Sequence, residues 1–234
     1  MKFYVSIFCA SVAGYNFVKY FGVAKFHYRS LTTKLKYIQL VSLLSVIVLT
    51  YTSFMLRIES QLLLGFLAII TFLYAIPPGI KAPNNIRSIG GVKIYVVAVV
   101  WVVTSVVLPL LETQQLLVLD HFLMGVQRIF VLVVLMLPFE IRDLERDEDA
   151  LSTIPQKIGV QNTKILGCAL LLDSLILEFL KQQSREGCFL ALILASLILA
   201  VFLLLSHPHR SRYYTALFVE SVPIIWVVLT LLTA

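Results

Sequence analysis

The sequence predicts an all-α fold, a polytopic transmembrane helical bundle of about eight spanning helices, since spans of about 20 apolar residues recur along it. Three observations lead there. The 234 residues are 59% hydrophobic and 14% charged, whereas soluble domains are about a quarter charged. The mean hydropathy is +0.93. The polar stretches between the apolar runs are short, and none is long enough for a soluble domain, so residues 1–234 read as one transmembrane domain.

Taken in order, the candidate spans are 3–24, 38–57, 60–79, 93–111, 116–138, 163–181, 187–206 and 213–232. Short connections make neighbouring helices antiparallel. The first span opens like a signal peptide, with Lys2 and then Phe3 to Ala13, but Lys19, Lys25 and Arg29 follow closely. A positive flank on that side holds the next loop in the cytoplasm, so this segment reads as a retained helix. Cys9, Cys168 and Cys188 are scattered in apolar segments without metal or disulfide spacing, and read as small core residues.

The net charge of +6 raises nucleic acid or anionic lipid as partners. The basic residues sit in short loops between apolar runs, which is a topology signal, and no nucleic-acid motif accompanies them. Loops 25–37, 80–92, 139–162 and 207–212 carry Lys25, Arg29, Lys34, Lys36, Lys81, Arg87, Arg142, Arg146, Lys157, Arg210 and Arg212. The alternate connections carry far fewer. The positive-inside rule therefore puts the first set in the cytoplasm and both termini outside. Within the spans, Asp120, His121, Arg128, Asp173, Glu178 and Glu220 are ionisable, and each costs about 2.5–3.5 kcal/mol at a helix centre unless it meets a partner or water. Asp120, His121 and Glu178 fall near outer span ends and are expected to reach the interface.

The chemistry-bearing stretch is Leu137 to Gly159, LPFEIRDLERDEDALSTIPQKIG. Glu140, Asp143 and Asp147 are spaced i, i+3, i+7 and share a face if the segment is helical. Carboxylates at that spacing can hold a hard cation such as Mg²⁺, which completes its shell with water and phosphate. The bland alternative is a solvated loop whose acids cap nearby helix starts.

Asp143-Leu-Glu-Arg-Asp147, with Thr153-Ile154-Pro155 and Gly159 downstream, resembles the second aspartate motif of the UbiA family of intramembrane prenyltransferases. Tyr74-Ala75-Ile76-Pro77-Pro78-Gly79-Ile80-Lys81 resembles the family's Y-x-x-P-P-x-x-K segment, and Lys93 opens the next helix as in many relatives. Ala13-Gly14-Tyr15-Asn16 matches the start of the family's first motif, but Phe17, Tyr20 and Ala24 stand where aspartates belong. Aligned on these motifs, the first span corresponds to the family's second helix.

The resemblance implies a UbiA-like bundle in a bacterial inner membrane with the aspartate motif on the cytoplasmic side. Asp143 and Asp147 would be catalytic and, with Glu140, hold Mg²⁺. Asn16, Lys19, Lys81, Lys93 and Arg142 would bind the diphosphate. The implied reaction moves an isoprenyl group from a prenyl diphosphate to a small aromatic or lipid acceptor. The rival reading, motivated by the lost first motif, is a non-catalytic lipid- or partner-binding membrane protein that keeps the fold. With the native cysteines replaced, a single cysteine at Ser152 is expected to react with a membrane-impermeant maleimide only after the cytoplasmic face is opened. Labelling from outside intact cells contradicts the loop-charge topology.

Overall fold

The computed structural model describes residues 2–26, 33–75, 92–144, 153–182, 186–211 and 213–233. Every regular element among them is a helix: α1 (Lys2–Phe26), α2 (Thr33–Ser53), α3 (Ile58–Ala75), α4 (Val92–Val102), α5 (Leu108–Thr113), α6 (Leu119–Asp143), α7 (Ile154–Phe179), α8 (Glu186–Leu204) and α9 (Glu220–Thr233). A π-helical segment, Val103–Val107, joins α4 to α5, and a second, Tyr214–Val219, leads into α9.

Among the described residues, seven stretches are long and apolar enough to cross a membrane: Lys36–Ser53, Ile58–Ala75, Ile94–Thr113, Leu119–Asp143, Ile154–Phe179, Glu186–Leu204 and Tyr214–Thr233. The chain is an integral membrane protein. α1, at 25 residues, has the length to span and is not among these seven. Leu62, Phe66, Phe179, Leu231 and many other large apolar side chains are exposed on the helix surfaces. Acyl chains match such side chains, so this exposure carries no hydrophobic penalty in a bilayer.

The residues group into two compact units, Met1–Arg87 with Val103–Leu116, and Ser88–Val102 with Leu117–Ala234. In the first unit α1 packs on α2 and α3, and α3 packs on α5. Asn16 donates from Nδ2 to Ser42 Oγ at 2.9 Å, joining α1 to α2. Phe17 stacks on Phe72 with ring centroids 5.8 Å apart, joining α1 to α3. The carboxylate of Glu112 accepts from Ser60 Oγ at 2.7 Å and from the Arg57 amide at 3.2 Å. An acid on α5 thus serves the free donors at the N-terminus of α3, where negative charge is favoured.

The second unit is built on α6, which packs against α4, α7, α8 and the π segment before α9. Its core is aliphatic, with Ile94, Val134, Leu137, Ile141, Leu199 and Leu203 fully buried. α7 approaches this core at Gly167, where a Cβ would lie 2.3 Å from Leu203 Cδ2 and 3.0 Å from Leu137 Cδ1. At the far end of the α6–α7 pair, Gln127 Nε2 donates to the Ser174 carbonyl at 2.7 Å and to Glu178 at 2.9 Å. Lys181 Nζ reaches Gln127 Oε1 at 2.7 Å and Glu178 at 2.6 Å. Glu178 is therefore buried and paired, where the sequence placed it at the interface. Its position near the span end is as expected, but Lys181 folds back over it.

The largest departure from the sequence reading is the extent of α6 and α7. α6 runs through Pro138 to Asp143, and α7 begins at Ile154, inside what hydropathy reads as loop 139–162. Pro138 lacks the amide that would bond the carbonyl one turn back, yet it is buried and the helix continues past it. α7 starts where Thr153 takes the N-cap position and Pro155 falls in the first turn. The helix then breaks at Gly159, with φ 79° and ψ 161°, a conformation essentially restricted to glycine. The carbonyls at the break are served by side chains: Asn162 donates to Ile158 O at 2.8 Å and Thr163 to Gly159 O at 2.7 Å.

A Cβ at Gly159 meets nothing within 4 Å, so its substitution is costly through backbone strain alone. Gly159→Ala is expected to destabilise the protein by about 1–3 kcal/mol in denaturant unfolding from detergent micelles. Gly14 also has open space but an ordinary helical backbone, and Gly14→Ala is expected to stabilise by about 0.4–1 kcal/mol.

Candidate functional site

The acidic motif is built by the last turn of α6 and the first turn of α7. Glu140 is buried, at 6% exposure, and its Oε2 accepts from the Ile154 amide at 3.2 Å. The neighbouring Thr153 amide donates to Gln156 Oε1 at 2.8 Å, so two of the free donors at the start of α7 have partners. Thr153 Oγ1 is buried without a hydrogen-bond partner among the described residues. Glu140 thus acts as the bland sequence alternative requires, as an acid capping the next helix.

Asp143 is held differently. Arg142 Nε donates to its Oδ1 at 2.7 Å and Nη2 to its Oδ2 at 2.5 Å, a two-point fork between adjacent residues. Neighbours on a helix do not ordinarily face each other. Here the long arginine turns back over the helix end, with its guanidinium 5.5 Å from the centre of the Phe139 ring. Its third arm, Nη1, donates to Thr215 Oγ1 in the π segment before α9. The Arg142 and Asp143 side chains are 15% and 29% exposed, so the pair sits at the rim of the unit. An arginine in the last turn of a helix is also favoured by the helix dipole.

Around this rim, Lys164 Nζ donates to Leu204 O at 2.7 Å, and Arg210 Nε to Leu205 O at 3.2 Å. Two cations thereby serve the open carbonyls at the end of α8. Arg210 lies 5.2 Å from the centre of the Tyr214 ring, whose hydroxyl donates to Phe202 O at 2.6 Å. The His207-Pro208-His209 turn is closed locally, with the His209 amide donating to His207 Nδ1 at 3.0 Å.

Of the residues singled out in the sequence, the structure brings Glu140, Arg142 and Asp143 together on one helix end. Asn16 and Lys19 belong to the first unit. Asn16 bonds Ser42, and the exposed Lys19 donates to the Tyr15 hydroxyl at 2.8 Å. Asp147 and Lys81 lie outside the described residues, as does the side chain of Lys93. The described residue that sequence reasoning missed is Thr215. A lone threonine in an apolar run carries no pattern that marks it.

Mg²⁺ takes hard oxygen donors, and the described part of the motif offers two carboxylates. One is buried against the α7 amide and the other has both oxygens on a guanidinium. Among the described residues this donor set does not fit a Mg²⁺ ion, and no group of three His, Cys, Asp or Glu side chains suited to a metal is found there. The described site is a guanidinium with one edge on the Asp143 carboxylate and its third arm on Thr215, and the same edge chemistry suits a phosphate anion.

No family model, curated protein or solved structure matches the chain. What the helices define is the class, an integral membrane protein of packed spanning helices.

If Glu140 ties the two helices together, Glu140→Ala leaves the Ile154 amide without that acceptor. The expected cost is about 1–3 kcal/mol. Hydrogen exchange is expected to rise first in residues 154–158, with residues 160–179 protected as before. Uniform loss of protection along α7 contradicts a local capping role.

Proposed function

We propose that this protein is a UbiA-like membrane protein of the bacterial inner membrane that takes an isoprenyl diphosphate at the cytoplasmic α6–α7 junction and transfers its isoprenyl group to an acceptor. The observation that supports the reading is the Arg142 guanidinium held on Asp143, at the α6 end of the stretch that resembles the second aspartate motif. Arginine offers phosphate a planar two-point contact and keeps its charge at any working pH. In the transfer, the allylic carbon–oxygen bond breaks and the diphosphate leaves with the electron pair. The acceptor's nucleophilic atom forms the new bond and gives up a proton. Arg142 supports the departing charge, and the helical surroundings exclude water from the carbocation.

A second reading rests on a specific observation, the closed Arg142–Asp143 pair. A site whose cation is already neutralised, with aspartates absent at Phe17, Tyr20 and Ala24, is also that of a lipid-binding relative that no longer turns over.

Binding of farnesyl diphosphate to the purified protein in lipid nanodiscs tests both. Arg142→Ala is expected to weaken binding by about tenfold or more. Asp143→Asn is expected to strengthen it in metal-free buffer, because the guanidinium loses its competitor. Prenyl transfer to an added aromatic or lipid acceptor, with or without Mg²⁺, separates the enzyme from the binding protein. Folded wild-type protein that binds no farnesyl diphosphate in either buffer rules out both readings as applied to this ligand.

A further inference from the structure

The guanidinium of Arg142 has two faces of use. Its Nε–Nη2 edge holds Asp143, and its Nη1 arm holds Thr215. The first edge already makes a two-point contact with a carboxylate and offers the same to phosphate. The second is an anchor, and it comes from the last span, 73 residues further along the chain. Thr215 is fully buried, so its hydroxyl has a fixed environment. It stands in the π segment Tyr214–Val219, where the wider turn changes which face each residue presents relative to an α-helix. Such insertions are frequent at functional sites.

Resting on the diphosphate reading, we infer that Thr215 is a positioning residue for the anion site: it holds Arg142 so that the Nε–Nη2 edge stays presented to the ligand when Asp143 lets go. An arginine side chain has many rotamers, and Asp143 fixes it only while the carboxylate is bound. Once a diphosphate displaces that carboxylate, the Phe139 ring and the Thr215 hydroxyl remain as restraints. The ring packs 5.5 Å from the guanidinium carbon and limits its movement on that side. The hydroxyl restrains its rotation. Removing the hydroxyl leaves the charge in place but lets the binding edge turn away, so the loss falls on phosphate recognition and not on the apolar tail.

The test is a double-mutant cycle on the full-length protein in nanodiscs, with farnesyl diphosphate and farnesol as probes. Thr215→Val keeps the shape and removes the hydroxyl. It is expected to weaken farnesyl diphosphate about five- to tenfold and leave farnesol unchanged. Thr215→Ser is expected to restore binding to within about twofold, as a retained hydroxyl requires. With Arg142→Ala already present, Thr215→Val is expected to add nothing, since the anchor then has no cargo. Thr215→Ala gives the same readout should the valine variant not fold. Wild-type affinity in Thr215→Val, equal loss for both probes, or full additivity with Arg142→Ala overturns the inference and leaves the diphosphate reading standing. No binding by folded wild-type protein removes both.

Discussion

A backbone polar group in hydrocarbon has no water to turn to, and everything else in this structure follows from that. Helices satisfy their own interiors, but each leaves free donors at one end and free acceptors at the other. Much of the polar inventory of the chain is spent there. Glu112 serves the start of α3, and Glu140 the start of α7. Asp120 accepts from the Gln182 amide just beyond α7. Lys164 and Arg210 serve the end of α8. Serines and threonines inside the spans, such as Ser45, Thr52 and Thr71, return their hydroxyl protons to carbonyls of their own helix. An ionisable residue in a span is ordinarily a sign of function, and here helix ends account for several of them.

The same constraint separates the two ends of the α6–α7 pair. At one end Gln127, Glu178 and Lys181 form a closed set in which each member bonds the others, and such a set makes the helices rigid. At the other end the polar groups are nearer the surface. Arg142 and Asp143 are partly exposed, and the Thr153 hydroxyl has no partner among the described residues. The contrast places the more exposed polar contacts of this unit beside the acidic motif.

Hydropathy made the helices legible. Each of the eight predicted spans has a helical counterpart, because twenty apolar residues in a row have few other ways to satisfy their backbone. It placed the helix ends poorly. Residues 154–162 read as loop because Gln156, Lys157, Gln161 and Asn162 are polar, yet the cap at Thr153 and the early Pro155 start a helix there. The Glu140–Asp143 part of the motif was visible as a spacing, but its bonding was not. Spacing cannot tell a carboxylate that holds a cation from one that caps a helix. Both π segments lay inside apolar runs where one extra residue per turn leaves the composition unchanged, so Thr215 carried no sign of its place beside Arg142.

The tie between Glu140 and the Ile154 amide has a consequence for how this junction can diversify. It fastens together the two ends of the connection, on α6 and on α7, independently of the residues between them. Closure of the connection is then already enforced by the helices it joins. Neither partner of that tie belongs to the sequence between the helices, so changes there leave it in place. The α6–α7 pairing can therefore persist while the sequence that links the two helices drifts.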